Sequence, residues 1–134
     1  MRWPFSHKTK ILAVDDEAGF TRLLKLAAPQ YEIRTENDPT RALAAAVEFG
    51  PDLILLDRHM PRLCGDRLAV SLRAEPALQH VAIAFVTGTV PMDDEGHFAT
   101  ELNGWPVLSK PVSIESIDQL VRDHVRRGPK KSDG

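Results

Sequence analysis

Cysteine is almost missing from this 134-residue chain: Cys64 stands alone. An internal disulfide framework is therefore excluded, and a reducing cytosol suits the composition. An excess of one charge is missing too. Seventeen Lys and Arg stand against nineteen Asp and Glu, a formal net charge of −2. Nothing in that balance calls for nucleic acid, and the pair Lys130-Lys131 is too short for a basic patch. No apolar run approaches the ~20 residues of a membrane span, and the opening Met1-Arg2-Trp3-Pro4-Phe5-Ser6-His7-Lys8 lacks the apolar core of a signal peptide. The expectation is a cytoplasmic protein that touches neither membrane nor nucleic acid. His7, His80, His97 and His124 lack metal-ligand spacing. There is no internal repeat and no linker to a second folded unit. With 43% hydrophobic and 27% charged residues, the chain has the make-up of one ordinary globular domain.

What is present is an alternation of short apolar runs with helical patterns. Ile11–Val14, Leu53–Leu56 and Val81–Val86 are apolar throughout, as strands covered on both faces must be. Tyr31–Thr35 alternates and reads as an edge strand. Trp105–Leu108 carries Pro106, which cannot donate to a ladder, and reads as the other edge. Between them lie helical spacings. Phe20, Leu23, Leu24, Ala27 and Ala28 run up to Pro29. An Ala-rich segment at 40–49 follows the Asp38-Pro39 cap and closes at Gly50-Pro51. A helix opening at Gly65 or Asp66 ends near Pro76. A short, weakly amphipathic helix is expected around 94–102, with Phe98 and Leu102 as its apolar contacts. A last helix is capped by Ser113 and buries Ile114, Ile117, Leu120, Val121 and Val125. Five strands alternating with five helices predict an α/β doubly wound parallel sheet with helices on both faces. Burial alone gives the order 2-1-3-4-5, with the switch point between the first and third strands.

That order matters because the strands end in chemistry. The first ends in Asp15-Asp16-Glu17, the third in Asp57-Arg58-His59, the fourth in Thr87-Gly88, and the fifth leads to Lys110. Three carboxylates converging in one pocket repel one another and call for a cation. Magnesium prefers a few carboxylates plus water and phosphate oxygens, and Lys110 adds a point charge. With a phosphoryl donor there, Asp57 can act as nucleophile and form an acyl phosphate. Lys110 and Thr87 would then meet the developing charge.

These residues carry a resemblance. Ile11-Leu12-Ala13-Val14-Asp15-Asp16-Glu17, Asp57-Arg58-His59-Met60-Pro61 with Gly65, Val86-Thr87-Gly88 and Lys110-Pro111 together resemble the receiver domain of two-component response regulators, a CheY-like, flavodoxin-like fold. The resemblance covers roughly residues 9–127, leaving tails at 1–8 and 128–134. It implies that Asp57 is the phosphoacceptor, served by a histidine kinase or histidine phosphotransfer protein. It implies a Mg2+ (or Mn2+) ion on Asp16, Asp57 and the His59 backbone carbonyl, with Asp15 mostly through water. Thr87, Gly88 and Lys110 would form the phosphate-binding and switch group. Met60, Pro61, Gly65 and Pro111 would shape the loops, with a cis bond before Pro111. The implied protein is not an enzyme beyond its own phosphorylation and dephosphorylation. It would act as a monomer or phosphorylation-dependent dimer, signalling to an unknown downstream protein through the fourth helix, fifth strand and fifth helix.

One departure stands out. Similar domains often carry Tyr or Phe three residues before the lysine, and here that position is Val107, with Trp105 two residues away. The expectation is a single-domain response regulator, with a phosphate shuttle in a relay or a receiver cut from a hybrid kinase as the alternatives. Two other classes stay open: a binding module that never uses phosphate, and an aspartate-nucleophile phosphatase. The phosphatase usually has a second Asp two residues after the nucleophile, where this chain has His59. Taken singly, the residues have plainer readings: Glu17 as a helix cap, Cys64 as an inert thiol, and His59 as either a screen for the phosphoryl group or a solvated loop residue.

Overall fold

The computed structural model describes residues 8–60, 64–90, 92–102 and 104–125. Pro61, residues 1–7 of the expected first tail, the end of the expected receiver unit at 126–127 and the whole expected tail at 128–134 lie outside the described residues. Strands β1 (Lys10–Val14), β2 (Glu32–Glu36), β3 (Leu53–Asp57), β4 (Ala82–Thr87), β5 (Glu101–Leu102) and β6 (Trp105–Ser109) form one sheet. Its order is β2-β1-β3-β4-β6-β5. The β2-β1-β3-β4-β6 core is parallel, and these are the five strands read from the sequence, in the predicted order. Helices α1 (Ala18–Ala27), α2 (Ala42–Phe49) and α3 (Gly65–Ala74) connect the first four strands, and α4 (Ile114–His124) follows the last.

Period-two alternation in the central strands sends side chains to both faces, and both are covered. On one face Leu12, Val14, Ile54, Leu56, Ile83 and Phe85 pack with Ala42, Ala46, Leu68 and Leu72 of α2 and α3. On the other, Ile11, Ala13, Leu53, Leu55, Ala84 and Val86 pack with Leu24 of α1 and Ile117, Leu120 and Val121 of α4. Local signals set the ends. Asp38 accepts the Thr40 N–H and starts a 3-10 turn that leads into α2. Gly50, at φ 67°, closes α2 in the left-handed region. Ser113 caps α4 by accepting from Ser116 N–H.

Several expectations require correction. No helix forms at 94–102. Asp93 Oδ1 accepts the N–H groups of both Glu95 and His97, each at 2.9 Å. The Asp93 N–H donates to His97 O, and Gly96 adopts φ 86°. Local side-chain bonding of this kind competes with helix formation, and the weak apolar pattern offers little packing in return. Phe98, expected in the core, is 62% exposed. The chain turns at Gly104 (φ 84°) instead, and β5 pairs antiparallel with β6 at Glu101–Pro106 and Leu102–Trp105. The Trp105 strand is therefore not a bare edge: two residues cover its start. On α1, Leu23 points outward, 67% exposed.

The sheet's register positions the site. Val14 is opposite Leu56, so one step further Asp15 and Asp57 leave the sheet side by side. Asp57 is opposite Val86, and Thr87 opposite Ser109, so Thr87 and Lys110 emerge next to them. Gly65 seals the floor. A Cβ there would sit 2.7 Å from Asp57 O and 2.8 Å from Arg58 Cα, backbone atoms that cannot yield without moving the site. Gly65→Ala is expected to cost about 1–3 kcal/mol. Gly88→Ala, with nothing within 4 Å of its added carbon, should stay within about 0.5 kcal/mol of the parent. Urea denaturation of the two variants checks the contrast, and equal midpoints would refute it.

Candidate functional site

Asp15 is buried at the end of β1. Its Oδ1 accepts the Glu17 N–H at 2.9 Å, and its own N–H donates to Glu36 O at 3.1 Å. The Asn37 side chain donates to Asp15 O at 2.7 Å and to Thr21 Oγ1 at 3.1 Å, tying the acidic loop to β2 and α1. Asp57, also buried, accepts the His59 N–H on Oδ1 at 3.1 Å. Lys110 arrives from the end of β6 with its N–H bonded to Thr87 O at 2.9 Å, followed by a cis Lys110–Pro111 bond. Its ammonium lies 2.6 Å from Asp15 Oδ2, 2.9 Å from Glu17 Oε1 and 3.7 Å from Asp57 Oδ2. It also stands 4.6 Å from the centre of the Phe20 ring.

Asp15, Asp16 and Asp57 each place a carboxylate oxygen within 4.8 Å of the others. Asp15 Oδ2 has the Lys110 counter-charge close by, but no directed hydrogen bond reaches this buried oxygen. Hard oxygen donors at this spacing, one of them lacking a donor, fit a magnesium-sized cation. Asp93, Glu95 and His97 make a second such group, wholly exposed on the 92–98 turn.

Burial pushes the Asp57 carboxyl above its ordinary value of 3.8. The His59 N–H opposes that shift, the Asp15 charge adds to it, and Lys110 offsets part of it. For Lys110, partial burial alone would lower the pKa; its pairing with the Asp15 and Glu17 carboxylates outweighs that and raises it.

The carboxylates open into a cleft of about 930 Å³ lined by Asp16, Glu17, Asp57, Arg58, His59, Met60, Cys64, Gly88, Thr89 and Lys110. Met60 also reaches down into the core. Thr87 is fully buried; its Oγ1 accepts from Thr89 N–H at 3.2 Å and lies 3.3 Å from Thr89 Oγ1. Thr89 in turn is 3.4 Å from His59 Nε2 across the cleft. On the rim, Arg58 pairs with Asp66 at 3.2 Å.

The structure thus brings Asp15, Asp16, Asp57, His59, Thr87, Gly88 and Lys110 to one end of the sheet. Sequence reasoning passed over Asn37 and Thr89 and undervalued Glu17 and Phe20. Phe20 had the signal of a core residue, and Asn37 carried none, because its partners are 16 and 22 residues away.

The sequence pattern of the response regulator receiver domain matches residues 11–122. This chain belongs to that family. Receivers are signalling domains of two-component systems. Response regulator PleD of Caulobacter vibrioides is 40% identical over 119 residues, 87% of this chain and 26% of PleD. The Porphyridium aerugineum protein named "Probable transcriptional regulator ycf27" is 32% identical over 127 residues, 93% of this chain and 51% of that protein. The receiver chain therefore spans about a quarter to a half of these relatives. Vibrio cholerae chemotaxis protein CheY4 superposes with a TM-score of 0.71 at 22% identity, covering 87% of this chain and 98% of CheY4, a likeness of fold. Among the described residues no helix is long and apolar enough to cross a membrane.

A raised carboxyl pKa means that the folded receiver favours protonated Asp57. The stability this supplies is lost as pH rises above the ordinary carboxyl range, so at pH 7 the charged form carries the cost. Asp57→Asn keeps the shape and removes the charge beside Asp15. Without added divalent cation it is expected to raise Tm by about 4 °C, roughly 1 kcal/mol. Thermal unfolding at pH 7 checks this, and an unchanged or lowered Tm would contradict the cost of burying that charge beside Asp15.

Proposed function

We propose that this receiver takes a phosphoryl group on Asp57 from a histidine kinase or histidine phosphotransfer protein, in a reaction dependent on Mg2+ or Mn2+. The observation that carries the reading is the meeting, at one cleft, of three carboxylates no more than 4.8 Å apart with the Lys110 ammonium. An Asp57 carboxylate oxygen attacks phosphorus, the bond from phosphorus to the donor imidazole nitrogen breaks, and an acyl phosphate forms. Lys110 pairs with a phosphoryl oxygen, and the Thr87 hydroxyl, released from Thr89, donates to another. Asp16, Asp57 and the His59 carbonyl, with Asp15 mostly through water, would hold the divalent cation, which would neutralise charge on the phosphoryl oxygens. Water later attacks phosphorus, releasing phosphate and restoring the carboxylate. Gly88 lets the phosphoryl group approach the backbone, and Gly65 and Pro111 hold the loops. The added charge of about −1.5 to −2 shifts the β4 loop, and the signal leaves through contacts with another protein. Residues 9–127 act as the receiver unit, in a cytoplasmic setting.

Acetyl phosphate with Mg2+ tests this directly. Intact mass should show one added phosphoryl group on the parent chain, none on Asp57→Asn, and none in the presence of EDTA. Lys110→Ala should slow the uptake about 100-fold. Uptake by Asp57→Asn equal to the parent's would remove Asp57 from its role. A parent chain that stays unmodified while binding Mg2+ would favour the phosphate-independent binding module.

A further inference from the structure

Glu17 occupies the N-cap position of α1, yet its side chain makes no capping bond. Its carboxylate reaches across 93 residues of sequence to donor Lys110 Nζ at 2.9 Å. The same ammonium sits over the Phe20 ring, 4.6 Å from its centre. Both groups belong to the start of α1. Asp15 Oδ2 holds the ammonium on that side as well, at 2.6 Å. Asp57 Oδ2 is 3.7 Å away, beyond hydrogen-bond reach. Lys110 is therefore drawn to the α1 side of the cleft, away from the oxygen that the phosphoacceptor reading puts to use.

The restraints differ in kind. Asp15 is buried and fixed by backbone bonds. The Glu17 side chain is 66% exposed, so its pairing is weak, and water replaces the lysine readily when the pair opens. It is the contact that can let go. A phosphoryl group brings about −1.5 to −2 charges and three acceptor oxygens, against a single charge on Glu17.

We propose that Glu17 is a positioning residue that competes with the phosphoryl group for the Lys110 ammonium. Phosphorylation then draws Lys110 off Glu17 and Phe20, leaving the first turn of α1 with a freed carboxylate. The contact is a restraint on the reaction and also a route by which α1 senses the phosphate. The inference rests on Asp57 as phosphoacceptor.

The test uses the whole chain, Glu17→Gln, and Lys110→Ala for assignment. In the parent, the ring current of Phe20 should move the NMR signal of the Lys110 ε-methylene away from the free-lysine position. Glu17→Gln, which keeps shape and drops charge, should move it part of the way back without any phosphodonor, with Asp15 still pairing the ammonium. Acetyl phosphate with Mg2+ should move the parent signal the same way. Phosphorylation of Glu17→Gln should be about threefold faster, the size expected of an exposed ion pair. A Lys110 signal or a phosphorylation rate indifferent to Glu17→Gln, in a chain that does take up phosphate, overturns this inference alone. A parent chain that takes up no phosphoryl mass overturns the phosphoacceptor reading beneath it.

Discussion

Three carboxylates gathered at one end of a sheet are costly, and the site is built around managing that cost. Oxygens no more than 4.8 Å apart repel by about 3 kcal/mol per pair at an effective dielectric near 20. Lys110 offsets part of it, standing nearest to Asp15 and within 4 Å of Asp57. Backbone N–H groups of Glu17 and His59 take one oxygen each. One buried oxygen of Asp15 is still left without a directed donor. The folded chain thus keeps a concentration of negative charge that a bound cation would relieve.

The sheet makes this arrangement rigid. Every central strand is covered on both faces, so no strand can slip by one residue without moving an entire apolar row to the wrong side. The parallel register then delivers Asp15, Asp57, Thr87 and Lys110 to neighbouring positions. Gly65 lets α3 begin directly beneath Asp57 and Arg58. Precision at the site is inherited from packing far below it.

The region beyond Thr87 is looser in design. Where a helix was expected, the chain makes a small turn held by Asp93 and a two-residue strand against β6. The aromatic position is taken by Val107, which is buried. Trp105 instead packs edge-on to Phe85 and under Arg73.

The five parallel strands and their order were legible because apolar runs and alternation respond to burial alone, and burial is what a doubly wound sheet dictates. Asp15, Asp16, Asp57, Thr87 and Lys110 were legible because each follows such a run. The 94–102 segment was misread because its apolar pattern was weak, and the deciding bonds run from one aspartate side chain to nearby backbone groups. Glu17, Phe20, Asn37 and Thr89 acquired their places from tertiary contacts with residues distant in the chain. By itself, then, the sequence determined the five parallel strands and the family to which the chain belongs. Only the tertiary structure decided which charge Lys110 faces, because that depends on distances of a few ångströms between groups that one-dimensional spacing does not encode.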